Sequence, residues 1–162
     1  MWTLTAGADS KDGPVDLGNG ASLATIVTDV PGQVAFSHNS AINRASEPVV
    51  LVSAQLLDPG GAHPRVTQSW AAPLGPDTSR YLATPWPADP PVDESGLSAV
   101  EGFIIPPGTS AYFIFLVDVE SDGVWRWPGM VLTYVYDGTM YTERIDNEFQ
   151  VCAPSTVDCA SQ

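Results

Sequence analysis

One segment of the chain has the form of a cation-binding loop. Asp118, Glu120 and Asp122 stand on alternate residues and Gly123 follows them, which matches the opening of a calcium-binding loop. The match then fails, because Gly129 occupies the position of the bidentate glutamate, and a preceding strand excludes an EF-hand. Two interpretations stay open. We favour a solvated turn; the alternative is a looser calcium site, in which a cation offsets repulsion among the three carboxylates.

Three tryptophans could form a ligand-binding surface. In extended chain Trp125 and Trp127 point to the same side, and Trp86 lies in a proline-rich segment that could reach them. Many carbohydrate-binding modules stack sugar rings on exposed indoles of this kind. The interpretation we favour is that both indoles cover an open end of the core, where each buries roughly 150–250 Å².

Catalytic motifs are missing from the sequence. It has no G-x-S-x-G, no H-E-x-x-H, no phosphate-binding glycine loop and no C-x-x-C. His38 and His63 have no partner at motif spacing, and we expect both in loops. Acid pairs such as Asp93 and Glu94 suit glycoside hydrolysis only at a defined carboxylate separation. We therefore predict that the protein is not an enzyme, and keep a hydrolase with an acidic site as an alternative.

Both cysteines lie near the end of the chain, at Cys152 and Cys159. A disulfide between them closes a loop of about eight residues and stabilises the fold by roughly 2–3 kcal/mol; two free thiols are the alternative. Such a bridge implies an oxidising compartment, so we expect a secreted or envelope-anchored domain. Residues 1–5 lack the features of a signal peptide, and we expect any leader or anchor to lie outside this chain.

The charge of the chain excludes several partners. Nineteen acids against six bases give a net charge of −13, and the arginines are scattered singly. Nucleic acids and anionic membranes require clustered Lys and Arg, so neither is an expected partner. No stretch approaches the roughly 18 apolar residues that span a bilayer.

Fifteen prolines and fourteen glycines favour many short strands joined by turns. We predict a flexible tail or leading loop over 1–22, a β-sandwich over 23–152 with a proline-rich loop at 71–97, and a C-terminal tail over 153–162. The predicted strands are 23–27, 33–37, 47–57, 65–70, 97–105, 110–119, 130–137, 139–145 and 148–152.

The best-specified local structure is a hairpin at Asp137-Gly138, a pair suited to a type I′ turn because both central positions need positive φ. The turn sets a register in which Tyr134 faces Tyr141 and Thr133 faces Thr142, with Val135–Met140 and Tyr136–Thr139 nearer the turn.

Two predicted strands are apolar on both faces, at 112–117 and 49–52. A strand of an antiparallel sandwich normally alternates, because one face meets water. The second face of 112–117 therefore needs a cover. We favour the chain's own 71–97 segment, and a partner protein is the alternative.

These features together predict an all-β fold, an antiparallel immunoglobulin-like sandwich of about eight to ten strands. The runs Glu47-Pro48-Val49-Val50-Leu51, Ile105-Pro106-Pro107-Gly108 and 134–141 resemble those of immunoglobulin-like ectodomains of bacterial envelope proteins. The resemblance implies a non-catalytic extracytoplasmic module that binds another protein or has a structural role. The alternatives are a carbohydrate-binding module that uses Trp125 and Trp127, with or without the calcium loop, and the hydrolase with an acidic site. For partners, we also consider a second copy of the chain in a homo-oligomer.

Overall fold

The computed structural model describes residues 13–18, 22–37, 39–75, 83–88 and 94–159. Within these ranges the chain forms fourteen strands and one 3-10 turn, Glu94–Gly96, which confirms the all-β class. No helix in this part of the chain is long and apolar enough to cross a membrane. The strands are β1 Val15–Asp16, β2 Leu23–Val27, β3 Gly32–Phe36, β4 Ser40–Asn43, β5 Val49–Leu56, β6 Arg65–Leu74, β7 Ala83–Pro85, β8 Ser98–Ala99, β9 Ile104–Ile105, β10 Ser110–Val119, β11 Gly123–Trp127, β12 Met130–Tyr136, β13 Thr139–Ile145 and β14 Glu148–Ala153.

The strands form three sheets around one main core. The first sheet has the order β1-β4-β10-β3-β7, and β6 pairs with the other side of β10 and carries β8. The second sheet is β11-β14-β2, in which β14 and β2 run parallel. The third is the antiparallel sheet β13-β12-β5-β9. Phe36 from the first sheet stacks on Phe149 from the second with ring centroids 4.6 Å apart, and Leu51 and Tyr134 of the third sheet join the same buried cluster.

The hairpin at Asp137-Gly138 has the predicted register. All four expected pairs, from Tyr136–Thr139 to Thr133–Thr142, are present. Asp137 and Gly138 take the positive φ values that the turn demands, 48° and 72°. The rings of Tyr134 and Tyr141 stack with centroids 5.4 Å apart.

Both faces of β10 are buried by the protein itself. Its odd-numbered residues, among them Phe113 and Phe115, lie in the main core. On the other face Tyr112 and Ile114 belong to a second buried cluster. The side chains packed against that cluster are Trp70, Leu74, Trp86 and Leu97. The favoured expectation of an intramolecular cover is therefore confirmed, and the cover comes from β6 as well as from the proline-rich segment.

Several strands differ from the prediction. Ser40–Asn43 and Gly123–Trp127 are strands that we did not predict, and Val15–Asp16 pairs with β4 inside the expected leading loop. The expected strand 97–105 is two short strands instead, because the chain turns between them at Gly102, which has a φ of 80°.

The proline-rich loop predicted at 71–97 starts later than expected and is interrupted by a short strand. β6 continues to Leu74, and β7 lies along β3. The expectations for His38 and Asp93, and for most of the N-terminal tail, fall outside the described residues.

The expected disulfide joins Cys152 at the end of β14 to Cys159, with the two Cα atoms 6.0 Å apart. Cys152 is fully buried. The bridge therefore fixes the C-terminal turn to the second sheet and does not link two sheets.

Candidate functional site

A cleft of about 350 Å³ lies where the end of β10, the turn into β11 and the residues before β6 meet. Its volume falls at the lower end of the range for small-molecule sites, roughly 300–1,000 Å³. Antiparallel pairing of β6 with β10 places Arg65 directly opposite Asp118 at this end of the first sheet. The lining residues are Ala62, His63, Pro64, Arg65, Asp118, Glu120, Ser121 and Trp125.

Trp125 forms the aromatic wall of the cleft. It is half-buried, and its indole Nε1–H donates a hydrogen bond of 3.2 Å to the carbonyl oxygen of Ala62. The ring lies over Gly123, where a Cβ would come within 2.5 Å of the indole. Glycine at this position thus leaves room for the ring, and the hydrogen bond holds it in place. The indole is positioned before any ligand binds.

Trp127 does not share this role. It is only 1% exposed, because it stacks on Phe149 with centroids 5.3 Å apart and lies edge-on to His63. The two indoles do lie on one side of β11, but that side faces the core, and only Trp125 near the rim reaches the surface. Trp127 therefore covers the core, which is the interpretation that we favoured, and the alternative of two exposed indoles does not hold for this residue.

Trp86 also lies away from the cleft. It packs at 5.8 Å from Trp70 and covers the second buried cluster on β10. It is not among the residues that line the cleft, so its predicted contribution to a tryptophan surface is not observed. The aromatic part of the site is a single indole.

His63 has a partner that the sequence did not indicate. Its Nε2 lies 3.3 Å from Oδ1 of Asp58, and its Nδ1 lies 2.9 Å from the carbonyl oxygen of Pro64. Both neighbours are acceptors, and which of the two contacts is a hydrogen bond depends on the tautomer of the ring. Both ring nitrogens of His63 thus face groups of the protein itself.

Arg65 differs from the other arginines of the described chain. Arg44, Arg126 and Arg144 each form an ion pair with a carboxylate. Arg65 forms none with any described residue, although it is opposite Asp118, whose carboxylate accepts a hydrogen bond from the Gln33 amide instead. The exposed guanidinium of Arg65 therefore keeps its donors for a ligand or for water.

Two of the three carboxylates of the acidic loop lie at the cleft. Asp118 and Glu120 line the cleft, whereas Asp122 does not. Among the residues that the structure describes, no three His, Cys, Asp or Glu side chains are grouped as a metal site requires. Calcium takes six to eight oxygen ligands, and only two of the three predicted carboxylates line the cleft. The calcium loop therefore stays a prediction.

Sequence reasoning identified Asp118, Glu120 and Trp125 but missed His63 and Arg65. Those two residues reach the cleft only because β6 pairs with β10. No local pattern marks that long-range pairing, so the sequence carried no signal for the second wall of the cleft.

Comparison with known proteins adds little to this description. The chain matches no known family profile and no curated protein. Among solved structures it is similar to the Vibrio cholerae VesB protease, with a TM-score of 0.42 and 11% identity, over 86% of this chain and 32% of that one. It is also similar to the ASH/PapD-like domain 7 of human CEP192, with a TM-score of 0.45 and 8% identity, over 96% and 99% of the two chains. At these TM-scores neither likeness carries an argument about activity or partners.

Proposed function

We propose that this chain is a non-catalytic, extracytoplasmic binding module that holds a saccharide in the cleft beside Trp125. The observation that carries the proposal is the indole of Trp125, which the carbonyl of Ala62 fixes in the wall of a cleft whose other lining side chains are mostly polar. A ligand site of this size typically combines apolar or aromatic surface with a few well-placed polar groups.

The polar walls suit a ligand with many hydroxyl groups. Asp118 and Glu120 supply acceptors, Arg65 supplies donors, and Trp125 offers a flat apolar face. A sugar ring presents C–H groups on its face and hydroxyls around its rim, so it can contact both kinds of surface at once. A purely apolar ligand would leave the charged side chains desolvated without partners, which is costly.

A protein partner at β10 is less well supported than this saccharide site. The expectation of a partner rested on the apolar second face of that strand, and Trp70, Trp86 and Leu97 help to cover that face. The proposed compartment rests on the Cys152–Cys159 bridge, since structural disulfides persist mainly in oxidising surroundings.

Isothermal titration against a panel of neutral, acidic and amino-sugar oligosaccharides tests the proposal. We expect at least one saccharide to bind, and Trp125→Ala to weaken binding tenfold or more, about 1.4 kcal/mol. Trp86→Ala is the matched control, because that indole lies outside the cleft, and it should leave the affinity unchanged. Absence of binding across the panel, or equal loss in both variants, would refute the proposal.

Glycoside hydrolysis is the second candidate function. The observation that favours it is that two carboxylates, Asp118 and Glu120, line one cleft with His63, and paired carboxylates are the machinery of most glycosidases. The contacts of His63 with Asp58 and Pro64 weigh against a base role for that histidine. We expect no release of reducing ends from any saccharide that binds. Turnover that disappears in Glu120→Gln would show that the protein is an enzyme and not a non-catalytic binding module.

A further inference from the structure

The outer face of the third sheet carries an apolar row that crosses all four strands. Ile104 of β9 pairs with Val50 of β5, Val50 pairs with Val135 of β12, and Val135 pairs with Met140 of β13. Ile104 is 55% exposed and Val50 is 39% exposed. This outer face contrasts with the second face of β10, which the protein covers with its own side chains.

The rows beside it are almost uncharged. Strand alternation and register place two further outward rows on this face, made of Ser53, Thr133 and Thr142, and of Gln55, Val131 and Arg144. None of the residues in the three rows is acidic, although the protein has nineteen acids and a net charge of −13. The lone charge, Arg144, lies at one corner and pairs with Asp146.

We propose that the outer face of the third sheet is a self-association surface, and that its partner is a second copy of this chain. Two copies that each carry a charge of −13 repel one another, so close contact costs least where the surface lacks carboxylates. In a two-fold contact the same patch meets itself. An apolar row flanked by hydroxyl and amide side chains is complementary to its own copy, because Ser, Thr and Gln both donate and accept hydrogen bonds.

The size of the face sets the strength of the contact. Three strands spaced about 4.8 Å apart, with seven residues at about 3.4 Å each, cover roughly 14 by 24 Å, and the two-residue β9 brings the footprint to about 380 Å² per copy. Stable interfaces bury about 800 Å² per partner. The dimer is therefore weak and reversible, with a Kd in the micromolar to millimolar range.

Sedimentation velocity over a concentration series from about 10 µM to 1 mM tests the proposal. The weight-average mass of the wild-type chain should rise from 17.2 kDa towards twice that value. Val50→Lys should raise the Kd at least tenfold, because it places a charged side chain in the apolar row of each copy. The matched control is Val124→Lys, at a valine that is 37% exposed on the second sheet, and it should leave the Kd within about twofold of the wild-type value.

The salt response supplies a second readout. Raising the salt concentration should strengthen the association, because it screens repulsion between the acidic monomers. Ile104→Lys, at a more exposed position, replaces Val50→Lys if circular dichroism shows that the latter misfolds. The proposal is overturned by a wild-type chain that stays monomeric at 1 mM, or by association that survives both lysine variants. It is also overturned if Val124→Lys disrupts association equally, or if the face binds a different protein while the chain remains monomeric.

Discussion

Replacing Phe149 by leucine tests how the first two sheets are held together. The Phe149 ring is fully buried and stacks between Phe36, at 4.6 Å, and Trp127, at 5.3 Å. Each aromatic pair contributes about 0.5–1.5 kcal/mol beyond its buried area, so loss of both pairs costs about 1–3 kcal/mol. Phe113→Leu is the matched control, since Phe113 is equally buried and stacks on no ring among the described residues.

The assay is urea unfolding followed by circular dichroism. With a slope of about 2 kcal/mol per molar urea for a domain of this size, the extra cost lowers the midpoint of Phe149→Leu by about 0.5–1.5 M relative to Phe113→Leu. Similar slopes in both variants would confirm that only the native state has changed. Equal midpoints would refute the reasoning, because they would show that the stack contributes nothing beyond its volume.

Three further predictions concern the disulfide, a buried acid and calcium. Cys159→Ala should lower the free energy of unfolding, measured without reductant, by about 2.5 kcal/mol on the chain-entropy model for an eight-residue loop. An unchanged free energy of unfolding would contradict a stabilising disulfide. Burial raises the pKa of Glu143, whose carboxylate accepts a hydrogen bond from the Tyr134 hydroxyl, so the folded state binds its proton more tightly than the unfolded state. The stability that this proton supplies is present below about pH 4 and is lost as pH rises through the raised pKa. Glu143→Gln should therefore gain stability relative to wild type as the pH is raised above about 4, and a stability difference that stays constant with pH would contradict this. Calcium should raise the melting temperature only slightly, by about 1–2 °C at 10 mM, and not at all in Asp118→Asn, because two carboxylates make a weak site; a large shift in both proteins would show that calcium binds elsewhere.

The features that the sequence predicted well are those decided locally. Asp137-Gly138 specifies its turn through two adjacent backbone conformations, and that turn fixes the register of the whole hairpin. The disulfide likewise joins residues seven apart. The need to cover the second face of β10 followed from its composition, because an apolar strand in water is unfavourable whatever lies beside it.

The features that it predicted poorly depend on distant pairing or on depth. Period-two alternation places Trp125 and Trp127 on one side of a strand, but it cannot tell that this side faces the core or that only one indole reaches the rim. Arg65 comes opposite Asp118 through the long-range contact of β6 with β10. The sequence therefore indicated one wall of the cleft, the acidic loop that contains Trp125. It did not indicate the opposite wall, which contains Arg65.

The most direct test of the saccharide site is a titration followed by NMR of the tryptophan side chains. The chain has five tryptophans, so five indole N–H signals can be followed separately, with the Trp125 signal assigned by its loss in Trp125→Phe. The hydrogen bond of the Trp125 indole to Ala62 places that N–H in the cleft wall. We predict that a binding saccharide shifts this signal in a saturable way and leaves the signals of Trp86 and Trp70 unmoved. Saturable shifts at Trp86 or Trp70 with the Trp125 signal unchanged, or no shift at any indole, would contradict a saccharide site in the cleft.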